Sequence, residues 1–150
     1  MLVAVTGGSG FIGSHVVDHL LGAGYDVRVL DRLMPMQENV EWLPCDITRV
    51  GELTEALQGC DAVFHLAAMA NVNDVAKTPF ESVELNVLGT AAVLEASRVS
   101  GVGHFVLAST VWVYEASDDT DVDHATPLRL DSVKHLYTAE KASAEMLAHG

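Results

Sequence analysis

The residues with the clearest chemical potential lie near the start of the chain. Thr6-Gly7-Gly8-Ser9-Gly10-Phe11-Ile12-Gly13 joins a short apolar run, Leu2 to Val5, to a segment whose apolar residues recur at helical spacing. A glycine cluster at such a junction suits a phosphate. Gly7 and Gly10 let the backbone turn tightly and approach a pyrophosphate with no Cβ in the way. The N–H groups that open the helix, at Phe11 and Ile12, then face the phosphates with the helix dipole behind them. Gly13 allows the helix to pack closely on the strand. Asp31 ends the next apolar run, where a carboxylate accepts both ribose hydroxyls of an adenosine and repels a 2′-phosphate. These residues predict a bound dinucleotide, NAD rather than NADP. Arg32 tempers that choice, since a guanidinium beside Asp31 can hold a phosphate. Asp46-Ile47 is placed either to contact the adenine or, through Asp46, to cap the helix that follows.

The elements that must position these residues alternate along the chain. Strands are expected at Leu2 to Val5, Asp26 to Leu30, Val40 to Leu43, Ala62 to Phe64 and Phe105 to Ala108. Between them, Ile12, Val16, Leu20 and Ala23 mark a first helix and Val50 to Leu57 a second. A long third helix is expected from Phe80 to Val99, with Val83, Val87, Ala91 and Leu94 on its buried face. A last helix is expected from near Val133 to the end. Strands apolar on both faces, alternating with helices, predict an α/β fold with a parallel sheet covered on both sides. The acidic stretch from Glu115 to His124 reads as a solvated loop.

Size and charge narrow the function. The chain has 150 residues, of which 49% are hydrophobic and 19% charged, and that suits one folded domain. With 21 acidic residues against 8 basic, the net charge is −13. That balance argues against nucleic acid or an anionic membrane as partner, since both reward clustered Lys and Arg. An anionic cofactor must therefore be held by local donors. Cys45 and Cys60, the only cysteines, read as reduced core residues. No Cys/His spacing resembles a metal site, and His15 and His19 read as helix surface. Leu2 to Val5 is too short for a signal-peptide core and runs into glycines, which predicts a buried strand and a cytoplasmic protein.

Six segments stand in one order: Thr6 to Gly13, Asp46-Ile47, His65-Leu66-Ala67-Ala68, Asn86-Val87-Leu88-Gly89-Thr90, Ser109-Thr110-Val111-Trp112-Val113-Tyr114, and Tyr137-Thr138-Ala139-Glu140-Lys141. Together they resemble the extended short-chain dehydrogenases, also called the NAD-dependent epimerase/dehydratase family. The resemblance covers the whole chain but only about the first half of the family's pattern. It implies a Rossmann-type doubly wound parallel sheet, cut before the later strands and the C-terminal substrate domain, and NAD across the sheet's C-terminal edge. It further implies a nucleotide-linked sugar or another small hydroxyl or carbonyl substrate. Tyr137 matches the catalytic tyrosine, Lys141 its partner and Thr110 the residue that orients the substrate hydroxyl. Leu66, Ala67 and Ala68 would line the ribose-nicotinamide side, and Asn86 takes a supporting role.

The chemistry so implied is consistent with the residue types. Positions four apart share a helix face, so Tyr137 and Lys141 project together. A nearby ammonium and a cationic nicotinamide ring are expected to lower the phenol's pKa from about 10. The phenolate can then take a sugar hydroxyl's proton while hydride leaves the same carbon for NAD. Returning the hydride to the opposite face gives an epimer. Val111 and Trp112 stand where the family's dehydratases carry an acidic pair, which argues against elimination and leaves epimerase or simple oxidoreductase. Two alternatives stay open: a non-catalytic NAD-binding module that regulates a partner, and a ketone or steroid reductase of the same superfamily. Three readings stand for the missing half: a fragment of a longer enzyme, a truncated gene, or a short protein completed by a partner chain or a homodimer. The first two are favoured, and the isolated chain is expected to bind NAD weakly or not at all and to show little turnover.

Overall fold

A computed structural model describes residues 1–114, 121–123, 125–128 and 135–150. Five parallel strands form one sheet: β1 (Leu2–Thr6), β2 (Asp26–Leu30), β3 (Glu41–Leu43), β4 (Ala62–His65) and β5 (His104–Leu107). Their order is β3-β2-β1-β4-β5, with Val3 opposite both Val27 and Ala62. The chain thus winds outward from β1 in one direction, then returns to wind from β4 in the other. The fold is a Rossmann-type doubly wound α/β sheet, and the reversal between β1 and β4 opens a crevice at the strands' C-terminal ends.

Helices cover both faces. Helix α1 (Phe11–Gly22) packs on one side, where Val17 meets Val5, Val27 and Val29. On the other side, α2 (Val50–Ala56) and α5 (Gly89–Ser100) bury Leu53, Val93 and Ala96 against Ala4, Leu30 and Val63. Cys45 and Cys60 are buried and unpaired, as read from the sequence. No helix among the described residues is long and apolar enough to cross a membrane.

The expected long helix is one helical run in three parts: α4 (Pro79–Val83), a π-helical turn at Glu84–Leu88, and α5. A further helix, α3 (Val72–Lys77), precedes it and was not anticipated. The break between α3 and α4 falls at Thr78, which is out of the helical region (φ −127°, ψ 64°) as the residue before a proline commonly is. The last helix, α6 (Leu136–His149), starts later than expected, with His135 extended before it. The expected start at Val133 lies outside the described residues, as does the acidic stretch at 115–120 and 124. The last strand begins and ends one residue before the expected span.

Two buried faces differ from expectation by one residue. On the run from Pro79 to Ser100 the buried positions include Ser82, Asn86, Thr90 and Val93, while Val83 is exposed. Hydropathy selects the apolar neighbours, but Ser82, Asn86 and Thr90 each have a buried polar partner, which offsets the desolvation of their side chains. On α1 the buried positions are Gly13 and Val17 rather than Ile12 and Val16. There the glycine decides the face, because it is the residue that can touch the turn before it.

Candidate active site

The glycine turn has a geometry that only glycine fits. Gly7 has φ +71°, and a Cβ on it would lie 2.6 Å from the backbone nitrogen of Ala67. A Cβ on Gly13 would lie 2.0 Å from the Gly7 carbonyl oxygen. The turn is thus wedged between β4's continuation and α1 with no room for side chains. Gly10 precedes α1 and caps it with no side chain, which leaves the first-turn N–H groups for another acceptor. Phe11 and Ile12 stand 83% and 62% exposed at this helix start.

Above the turn is a cleft of about 190 Å³. Of the expected cofactor residues it brings together Gly7, Gly10, Asp31, Arg32, Asp46, Ile47, Leu66, Ala67 and Ala68. Phe11, Ile12 and Gly13 do not line it: Gly13 is turned into the α1–turn contact, and the other two stand exposed at the start of α1. Leu30, Cys45 and Leu85 line it as well. Leu85 comes from the π turn, far along the sequence, and no local pattern marks it. Burial pushes the Cys45 thiol up to about 11, so it lines the wall as an inert apolar group.

Asp31 organises one end of the cleft. Its carboxylate accepts from the backbone N–H groups of Ser9 and Leu33, both at 3.0 Å, and so ties the glycine turn to the chain after β2. Asp46 accepts from the backbone N–H of Thr48 at 3.0 Å and from its hydroxyl at 2.8 Å. These bonds, the backbone one foremost, hold its carboxyl below the usual range. Asp46 therefore makes a local turn before α2 and lines the cleft, but it does not cap that helix: the N-cap is Arg49, with no side-chain bond to the helix start, because the Asp46 carboxylate is already engaged by Thr48.

Behind the cleft runs a buried chain of hydrogen bonds. His65 Nδ1 is 2.7 Å from Thr6 Oγ1, and Nε2 is 3.0 Å from Thr90 Oγ1. The Thr90 hydroxyl is committed to the Asn86 carbonyl at 2.7 Å. Thr90 must then accept, so Nε2 carries the ring proton and Nδ1 accepts from Thr6. Burial first, and the Lys141 charge second, push His65 down to about 3, so the ring is neutral. His65 is thus a buried, fully hydrogen-bonded histidine at the end of β4.

The three expected catalytic residues are not among those that line this cleft. Tyr137 and Lys141 lie one turn apart on α6, Tyr137 half-buried and Lys141 6% exposed. Thr110 opens a 3₁₀ turn, Val111–Val113, that packs on α6, and its hydroxyl oxygen accepts from Trp112 N–H at 3.4 Å. The Trp112 ring meets Tyr137 edge-on with centroids 6.4 Å apart. The Tyr137 phenol is raised from its ordinary value, by burial first and by the charge of Glu140 second. The lowering expected from the lysine together with a cationic nicotinamide ring concerns the cofactor-bound site. Burial also pulls Lys141 down from its ordinary value, which weakens the ammonium as a partner. Sequence spacing gave the shared face but not the carboxylate at Glu140.

Comparison with known proteins places this geometry. The model of the NAD dependent epimerase/dehydratase family matches residues 3–150. A UDP-glucose 4-epimerase from Klebsiella pneumoniae is 35% identical over 128 residues, covering 76% of this chain and 92% of the relative. A 3β-hydroxysteroid dehydrogenase/Δ5→4-isomerase from Mycobacterium tuberculosis is 35% identical over 150 residues, 95% of this chain and 40% of the relative. Among solved structures, the UDP-glucose 4-epimerase of Thermus thermophilus in complex with NAD superposes with TM-score 0.89 at 34% identity. A dTDP-glucose 4,6-dehydratase from Streptomyces venezuelae with NAD bound gives 0.87 at 33%. Each superposition covers 99% of this chain and 50% of the other. The chain belongs to the NAD-dependent epimerase/dehydratase family, and it spans about half the length of these solved relatives.

Proposed function

We propose that the protein is an NAD-dependent epimerase or oxidoreductase of a nucleotide-linked sugar, with residues 1–150 as its cofactor-binding part and the substrate-binding part beyond them. The observation that carries the reading is the cleft at the β1–β4 switch: a glycine turn, the Asp31 carboxylate and the Leu66–Ala68 wall meet there. The residues fit a dinucleotide, since Gly7 and Gly10 line the cleft without side chains and Gly13 lets α1 close on the turn, where a Cβ would strike the Gly7 carbonyl. The first-turn N–H groups of α1 would hold the pyrophosphate, and the remaining lone pairs of Asp31 the adenosine ribose. A carboxylate in that position disfavours the 2′-phosphate of NADP.

Bound NAD would supply the hydride acceptor and a positive ring that favours a phenolate. Tyr137 is the base that takes the proton from the sugar hydroxyl at its phenolic oxygen. Lys141, on the same face of α6, adds positive charge that counters burial and Glu140. Thr110 orients the hydroxyl by hydrogen bonding. Protonation by Tyr137 on the return step completes an epimerisation through a keto-sugar. A second reading, a steroid or ketone reductase, is favoured by the similarity to the mycobacterial hydroxysteroid dehydrogenase.

The test is to offer the purified protein, complete with its substrate-binding part, NAD with UDP- and dTDP-sugars and, separately, hydroxysteroids, and to follow both sugar interconversion by NMR and the absorbance of NADH. Conversion of a sugar nucleotide is expected, as an epimer with no net NADH or as a keto-sugar with NADH formed. Tyr137→Phe should slow it by roughly 10²- to 10⁴-fold while NADH affinity stays within about threefold. Turnover by Tyr137→Phe at the unaltered rate would overturn the assignment of the base. Oxidation of steroids alone would transfer the reading to the second class.

A further inference from the structure

We infer that Glu140 is a positioning residue that ties the catalytic helix to the wall of the cofactor cleft. This rests on the function proposed above, in which α6 carries the base. Glu140 lies between Tyr137 and Lys141 in sequence and is 1% exposed. Its two carboxylate oxygens accept from different side chains of the neighbouring helical run. Ser82 Oγ donates to Oε1 and Asn86 Nδ2 to Oε2, each at 2.6 Å. The ion pairs among the described residues do not include it. A carboxylate buried on hydrogen bonds alone is a costly way to fill space, because desolvation of the charge must be offset by short, well-aligned donors.

The donor on Oε2 leads to the cleft. The Asn86 side-chain amide accepts from Met69 N–H at 2.8 Å and donates to Met69 carbonyl at 3.0 Å, a two-point clamp on one residue's backbone. Its second N–H goes to Glu140, so the whole amide is engaged. Met69 directly follows Leu66, Ala67 and Ala68, which line the cleft. The connection therefore runs from α6 through Glu140 and Asn86 to Met69. Asn86 sits in the π turn, an irregularity found most often at functional sites. Without Glu140, nothing polar on α6 itself meets that amide.

Two substitutions separate reach from charge. Glu140→Asp keeps the charge but is one methylene too short to meet both donors. Glu140→Gln keeps the reach: its carbonyl can accept from Asn86, and its amide can donate to Ser82, whose hydroxyl still has the Pro79 carbonyl at 3.0 Å. In the protein assayed with NAD and UDP- or dTDP-sugars, Glu140→Asp should lower kcat by about 10- to 100-fold, as expected for an ångström-scale misplacement. KM and NADH affinity should stay within about threefold, while the Met69 amide exchanges faster with solvent than in the parent. Glu140→Gln should restore kcat and Met69 protection to near the parent's. An active, well-protected Glu140→Asp, or a Glu140→Gln as impaired as Glu140→Asp, overturns the inference. If no substrate turns over in the parent, the functional reading fails on that result, and the Met69 exchange of the same two variants still decides the role of Glu140.

Discussion

His65 is held neutral by its surroundings, and that has a consequence for stability. Its ring lies buried between Thr6 and Thr90 and gains a proton only near pH 3, whereas in the unfolded chain it does so near 6.5. Between these values the unfolded state binds the extra proton, so stability falls as pH drops through that window. The slope should reach roughly 1.4 kcal/mol per pH unit for this one group. Asp46 acts in the same sense but only below the carboxylate range, so the two windows separate. Urea midpoints measured from about pH 7.5 down to about pH 5 should therefore decline, and His65→Gln should flatten the decline even though it lowers the stability at the upper end. Parallel curves for parent and variant would show that His65 is not the titrating group. His65 was legible only as part of the segment that follows the fourth expected strand. Its partner Thr90, and the whole Glu140–Asn86–Met69 connection, were not, because those contacts join residues many positions apart and leave no periodic trace.

At the scale of elements, the strands were legible because parallel strands buried on both faces are short apolar runs, and each of the five appears within a residue or so of its expected span. Helices were found less well where their buried side is not apolar. The run from Pro79 to Ser100 turns Ser82, Asn86 and Thr90 inward, and a hydropathy pattern cannot choose those over Val83 and Val87. Helix α3 is short and mostly polar, with only Val75 buried, so it offered no stripe to read. Helix α1 depends on a glycine that contributes no hydropathy signal. Its role gives a paired prediction. Gly13→Ala places a Cβ against the Gly7 carbonyl and must push α1 from the turn, so NADH affinity should fall by about tenfold or more. Gly51→Ala, on α2 with no atom within 4 Å of the added Cβ, should leave NADH affinity alone and raise stability by about 0.5–1 kcal/mol. Fluorescence titration with NADH and a urea melt on both variants distinguish the two. Equal NADH binding by Gly13→Ala and parent would mean the turn–helix contact does not shape the site.

Residues 1–150 carry a net charge of −13, and the proposed ligand is anionic too. Inside the cleft the balance is no better, since among the described residues lining it Arg32 is the single basic one, on a wall that also holds Asp31 and Asp46. The attraction that seats the pyrophosphate must then come from neutral N–H groups at the start of α1, which act at hydrogen-bond range and are little affected by salt. The repulsion comes from carboxylates spread over the surface, which salt screens within a Debye length. The two contributions therefore respond differently to ionic strength, and the sign of the net response reports which dominates. Raising NaCl from about 10 mM to about 150 mM should tighten NADH binding, by roughly twofold or more, with the gain appearing mainly in the association rate. Nucleotide sites built on clustered Lys and Arg lose affinity over the same range. Weaker binding at higher salt would mean that Arg32 outweighs the surface field, and Arg32→Ala should then remove the dependence.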